Sequence, residues 1–136
     1  RYTAEMYNVE NRCIFVNRQP FEKVIEYELA MDLLVIPYPD KPHFRDYGFP
    51  MKVWEYMATG RPILYSDLDI MREILGDRAH SFKPEEAGDF TKVVASIRLE
   101  PAKAEEVAKR NTEAVMNYTW EARAKNILQF IQDKGV

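Results

Sequence analysis

A single cysteine, Cys13, rules out a disulfide framework within the chain and points to a reducing compartment, read here as the cytoplasm. No apolar stretch approaches the roughly 20 residues that cross a bilayer, and the first residues lack a signal-peptide pattern, so no membrane span is expected. Basic residues are not in excess. The formal net charge of -3 argues against a surface that holds nucleic acid by its phosphates. Two distant histidines and one cysteine give no ligand spacing, so no metal site is expected; no bound cofactor is expected either. Internal repeats, low-complexity tracts and interdomain linkers are missing too. What is present is 136 residues that are 46% hydrophobic, long enough to bury a core and too apolar for disorder.

The apolar pattern alternates between two kinds of segment. Cys13–Val16, Leu33–Tyr38 and Ile63–Ser66 are short apolar runs of strand type, and Arg78–Phe82 is a weaker one. Leu33–Tyr38 has no polar alternation, as expected of a strand buried on both faces. Between the runs lie helical patterns. A first helix ends near Tyr7, and Pro20 opens a second whose apolar positions Phe21, Val24, Ile25 and Leu29 run to about Met31. Pro39–Asp46 reads as a charged, proline-containing loop. Asp67 or Asp69 is expected to cap a helix over Ile70–Leu75 that Gly76 ends. Further helices are expected over Asp89–Leu99, Pro101–Asn117 and, capped by Thr119, Trp120–Asp133. On the last, Trp120, Ile127, Leu128 and Ile131 read as a packing stripe. The sum is one α/β domain over residues 1–136: a Rossmann-like parallel sheet with helices on both faces and C-terminal helices packed on it. Ligands of such sheets sit at the carboxyl ends of the strands, which would bring 17–20, 39–50 and 66–69 to one crevice.

The stretch Asp46–Pro62, DYGFPMKVWEYMATGRP, carries the chemistry. Pro50 suits the first turn of a helix and Gly60 the left-handed residue after its end, so a helix is expected from Pro50 to about Thr59. On a 3.6-residue period Met51, Val53, Trp54, Met57 and Ala58 share an apolar side, and Lys52, Glu55 and Thr59 share the other. A Lys ahead of a Glu is the order that the helix dipole disfavours. A bound anion would favour it, because free N–H groups at the helix start and the Lys52 ammonium would converge on one phosphate. Glu55, one turn on, could accept hydrogen bonds from sugar hydroxyls. The competing reading of Glu55 is a solvated helix acid paired with Lys52, worth only about 0.3 kcal/mol. His43 reads as a surface residue at the crevice rim and His80 as structural.

Leu33–Tyr38, followed by Gly48-Phe49-Pro50, Lys52 and Glu55–Ile63 (EYMATGRPI), resembles the C-terminal, donor-binding half of GT-B glycosyltransferases of group 1, the GT4-like retaining enzymes. Weaker likeness extends to Ile14–Val16 and Thr119–Glu121. The resemblance implies a domain that binds a nucleoside diphosphate sugar as donor substrate, cut from a longer two-domain chain whose N-terminal domain supplies most of the site for an acceptor glycan or lipid. Peripheral membrane association through that absent domain is compatible with it. It implies that Glu55 holds the donor ribose, that Gly48, Phe49, Pro50 and Met51 approach diphosphate and sugar through their backbone, and that Asn17 and Arg18 border the base. The family's second acid stands eight residues before the ribose-binding one. Tyr47 occupies that position, and Asp46, one residue earlier, is the candidate to replace it at the transferred sugar. Lys52 is the visible cation for the leaving diphosphate. The family's upstream Arg and Lys are not in these residues, so the 136-residue piece by itself is expected to be catalytically silent and to bind nucleotide weakly. The competing functional readings are a non-catalytic GT-B-like module that binds a nucleotide or partner, and another GT-B enzyme such as a nucleotide-sugar epimerase.

Overall fold

The computed structural model describes residues 1–48 and 50–135. Among them, three parallel strands form one sheet in the order β1 (Leu34–Ile36), β2 (Ile63–Ser66), β3 (His80–Phe82). Leu34 pairs with Ile63, and Leu64 with His80. All four residues of β2 are buried. Because successive strand residues point to opposite faces, the central strand is covered on both sides. That is the condition for the unalternating apolar run Ile63-Leu64-Tyr65.

Among the described residues seven helices accompany the sheet: α1 (Tyr2–Met6), α2 (Phe21–Ala30), α3 (Lys52–Thr59), α4 (Asp69–Leu75), α5 (Ala87–Leu99), α6 (Pro101–Ala114) and α7 (Trp120–Lys134). The core joins Ile36, Ile63 and Tyr65 of the sheet to Val53 and Met57 of α3 and to Met71, Ile74 and Leu75 of α4. Val53, Met57, Met71 and Leu75 are wholly inaccessible to solvent. Burial of each such side chain is worth about 1.5–3 kcal/mol relative to exposure, so α3 and α4 are fixed to the sheet mainly by these contacts. α5 docks on the last strand through an edge-to-face pair, Phe82 against Phe90, with ring centroids 5.1 Å apart. α6 lies against α3 and against the single turn Gly76–Arg78. There Arg110 donates to the Asp77 carboxylate and main-chain carbonyl at 2.9 and 2.8 Å, and Asn111 donates to the Arg78 carbonyl at 2.6 Å.

Local chemistry explains the boundaries. Gly60 ends α3 in the left-handed conformation (φ 68°), and the Thr119 hydroxyl accepts the Ala122 amide at 3.1 Å to cap α7.

Five expectations are corrected. Cys13–Val16 forms no strand: it is an exposed extended segment, and Ile14 is almost fully solvent-accessible. An apolar run becomes a strand only when a neighbour accepts its hydrogen bonds, and no described strand flanks β1 on that side. For the same reason the apolar positions Phe21, Ile25 and Leu29 of α2 lie exposed. Asp67 and Asp69 do not cap α4. Its N-cap is Leu68, and Arg72 draws both carboxylates to itself at 3.0 and 2.8 Å. The charged segment after β1 is not all loop, because His43–Tyr47 makes one wide helical turn. Finally, α7 buries no residue: Trp120, Ile127, Leu128 and Ile131 are exposed rather than packed as a stripe.

Candidate functional site

The wide turn His43–Tyr47 and the start of α3 define the site. The Tyr38 and Phe44 rings pack at a tilt with centroids 4.8 Å apart, which holds the turn beside the end of β1. Gly48 leaves the turn through a space that only glycine fits. A Cβ at that position would lie 2.9 Å from the Phe44 Cα and 3.1 Å from the His43 carbonyl oxygen, both main-chain atoms. Phe49 lies outside the described residues. Pro50 is fully buried, and its carbonyl accepts the Val53 amide at 3.0 Å. The helix therefore begins at Lys52, two residues later than expected. Its N-cap is Met51, and no side chain caps it. The positive end of the macrodipole is thus left to whatever stands in front of it.

The helix faces differ in part from the sequence pattern. Val53 and Met57 are buried and Trp54 is partly so, while Met51 and Ala58 are exposed. Trp54 stacks on Tyr118 at 4.3 Å. Lys52 is exposed and Glu55 half-buried. Among the described residues no ion pair joins them, which removes the reading of Glu55 as half of a surface salt bridge. Asp46 is exposed on the wide turn without an ion-pair partner among the described residues, whereas its neighbour Arg45 pairs with Asp40 at 3.3 Å. Tyr47 is 82% exposed. The chain thus brings Asp46, Gly48, Pro50, Met51, Lys52 and Glu55 along one path from the turn onto the helix. Asn17 and Arg18 lie in the exposed segment before α2, and no described hydrogen bond or ion pair ties them to α3.

One residue of this neighbourhood escaped the sequence reading. Glu28, near the end of α2, is the only buried residue of that helix, at 8% exposure. Burial pushes its carboxyl above the ordinary value, the Glu55 charge pushes the same way, and Lys52 opposes both. Tyr56 is raised as well, first by burial and then by Glu28 and Glu55. Glu55 therefore shares its surroundings with a second carboxyl, a cation and a phenol. The signal was present in the spacing: Phe21, Val24 and Glu28 recur at i, i+3 and i+7, which puts an acid on a helical stripe that otherwise reads as apolar.

At the carboxyl ends of the strands a separate cleft of about 340 Å³ opens between the segment after β1, the last residue of β2 and the β3–α5 loop. Of the three loops expected to meet in one crevice, the cleft takes only Pro39 and Ser66, and the loop after β3 lines it where 17–20 was expected. Among the described residues no group of three or more His, Cys, Asp or Glu could hold a metal ion, and no helix is long and apolar enough to cross a membrane.

Comparison with known proteins gives this arrangement a setting. Residues 1–115 match the family described as glycosyl transferases group 1. Among solved structures the chain is similar to sucrose-phosphate synthase from Thermosynechococcus elongatus, with a TM-score of 0.81 and 24% identity over 97% of this chain. It is also similar to HepE from Anabaena, solved in complex with UDP, with a TM-score of 0.73 and 15% identity over 97% of this chain. The chain spans 32% and 35% of those two proteins. No curated protein matches.

Proposed function

We propose a donor-binding role from one premise: the chain belongs to the glycosyl transferases group 1 family, and its fold is that of a C-terminal GT-B domain. In this reading it binds a nucleoside diphosphate sugar, and the sugar passes to an acceptor hydroxyl with retention once an acceptor-binding domain is supplied. The observation that carries the proposal is the uncapped start of α3, with Lys52 at its first position and, one turn on, a half-buried Glu55 that has no ion-pair partner among the described residues. The leaving group of such a transfer is a nucleoside diphosphate, so negative charge must be stabilised as the glycosidic C–O bond breaks. The helix start and the Lys52 ammonium meet that charge without a metal. Glu55 accepts hydrogen bonds from the ribose hydroxyls. Gly48 lets the main chain approach the diphosphate, and Asp46 supplies the carboxylate near the transferred sugar. The UDP present in the HepE structure supports a nucleotide as the ligand class.

Titration calorimetry with UDP, GDP and ADP tests this. One of the three should bind. Lys52→Ala and Glu55→Gln should each weaken that nucleotide by about 10-fold, the value of one charge-assisted hydrogen bond. Equal affinity in parent and both variants would overturn the assignment. A second reading, a module that binds nucleotide without transfer, is favoured by Tyr47 at the position of the family's second acid. With the full-length protein, nucleotide binding without donor hydrolysis or transfer would select it, and loss of turnover in Asp46→Ala would exclude it.

A further inference from the structure

We infer that the cleft at the carboxyl ends of the strands is a subsite for one neutral sugar ring of the acceptor, which rests on the glycosyltransferase reading above and extends it to a surface of this domain. Three observations converge there. The walls are aromatic, with Tyr38 after β1, Phe82 at the end of β3 and Phe90 of α5, and the volume of about 340 Å³ lies at the small end of ligand pockets, enough for a single ring. Ser66, at the end of β2, lines the cleft at 1% exposure, and its hydroxyl has no hydrogen-bond partner among the described residues. Buried hydroxyls are nearly always satisfied, so a partnerless one beside a cleft points to a missing polar ligand. The third observation is the rim, which carries the exposed carboxylates Glu85 and Glu86 beside the start of α5, where no side chain caps the helix.

The chemistry of these groups selects the ligand. Two carboxylates facing one small cleft repel phosphate and carboxylate ligands, and among the described residues only Glu86 is drawn to a cation, Lys83 at 3.8 Å. A pyranose ring matches both halves of the site. Its C–H faces lie on aromatic rings, and its hydroxyls donate to carboxylates and accept from a serine hydroxyl or helix amides. The cleft has no residue in common with the Lys52–Glu55 site, so both can be filled together.

The test is amide-resolved NMR titration of the 136-residue chain with methyl α-D-glucopyranoside and methyl α-D-galactopyranoside, each without and with UDP. Glycoside should shift the amides of Ser66, Phe82 and 85–90 and leave those of α3 unmoved, with or without UDP. Glu85→Gln, an exposed change that leaves folding intact, should weaken the glycoside about five- to tenfold without altering UDP binding. Failure of both glycosides to move these amides up to their solubility overturns the inference, as does displacement of the glycoside by UDP. Stronger shifts with tetramethylammonium would overturn it in favour of a cation site. UDP shifts at α3 without glycoside shifts would sink the subsite and keep the donor reading. Glycoside shifts without UDP shifts would keep the subsite and sink the donor reading.

Discussion

Replacing Gly48 by alanine tests the geometry on which the donor loop rests. The added methyl would sit 2.9 Å from the Phe44 Cα, 3.1 Å from the His43 carbonyl oxygen and 3.2 Å from the Phe44 carbonyl oxygen. All three are main-chain atoms of the wide turn, so no side chain can swing away to make room. Overpacking of this kind costs about 1–3 kcal/mol. The backbone at Gly48 (φ -80°, ψ 106°) is open to alanine, so stiffening of the unfolded chain returns about 0.4–1 kcal/mol. The net loss is about 1–2 kcal/mol. At roughly 2.1 cal/mol/K per residue the 136-residue chain has an unfolding entropy of about 290 cal/mol/K, so Tm should fall by about 3–7 °C. Gly88, in α5 with nothing near its missing Cβ, is the control. Gly88→Ala should raise Tm by about 3 °C from helix propensity alone. Calorimetric scans of the three proteins decide the matter. If Gly48→Ala melts at or above the parent while Gly88→Ala behaves as stated, the close approach of turn and loop is not there.

Glu28 offers a test by pH. Its carboxyl is raised from 4.5 by burial, so between that value and its folded pKa the folded chain holds more protons than the unfolded one. Its contribution to stability is therefore complete below 4.5 and is lost as pH rises through the folded pKa. Glu28→Gln, which cannot ionise, should melt above the parent near neutral pH, with the gap closing by about pH 4; a gap that stays constant would show that Glu28 is not desolvated. Gly60→Ala forces a Cβ into the left-handed region at φ 68° and to 3.3 Å from the Thr112 hydroxyl. It should cost about 1–2 kcal/mol in urea unfolding, and an unchanged midpoint would contradict that backbone.

How far the sequence could be read depended on whether local chemistry or a distant neighbour decided each position. β2 was legible to the residue, because the apolar run Ile63-Leu64-Tyr65 after Gly-Arg-Pro has no competing use. Gly60 and Thr119 were legible because their roles depend on residues within one turn. Cys13–Val16 is a short run as apolar as β2, but a strand is a relation between two segments, and the pattern of one cannot report the absence of the other. Asp67 and Asp69 were misread because capping and pairing use the same oxygens, and Arg72 is near enough to win both. For the candidate site, the order of Lys52 and Glu55 is one that helix stability disfavours, and among the described residues no ion pair joins them. The acid at Glu28 was hidden by its position on α2, where only the packing of α2 against α3 shows that it comes near Glu55. Ser66 stayed hidden for a different reason, since nothing in a strand-end serine says whether its hydroxyl will find a partner.

The clasp between α6 and the turn Gly76–Arg78 bears on the order in which the molecule is made. Arg110 and Asn111 bind residues 33 positions earlier, and Thr112 stands against Gly60 at the end of α3. A chain emerging from the ribosome has synthesised all three strands and α3 long before these three residues appear. Until then the end of α3 lacks the helix it packs against, and the turn after α4 has two carbonyls waiting for donors. The surface that would receive a nucleotide therefore matures late in synthesis, and α6 acts as the fastener that closes it.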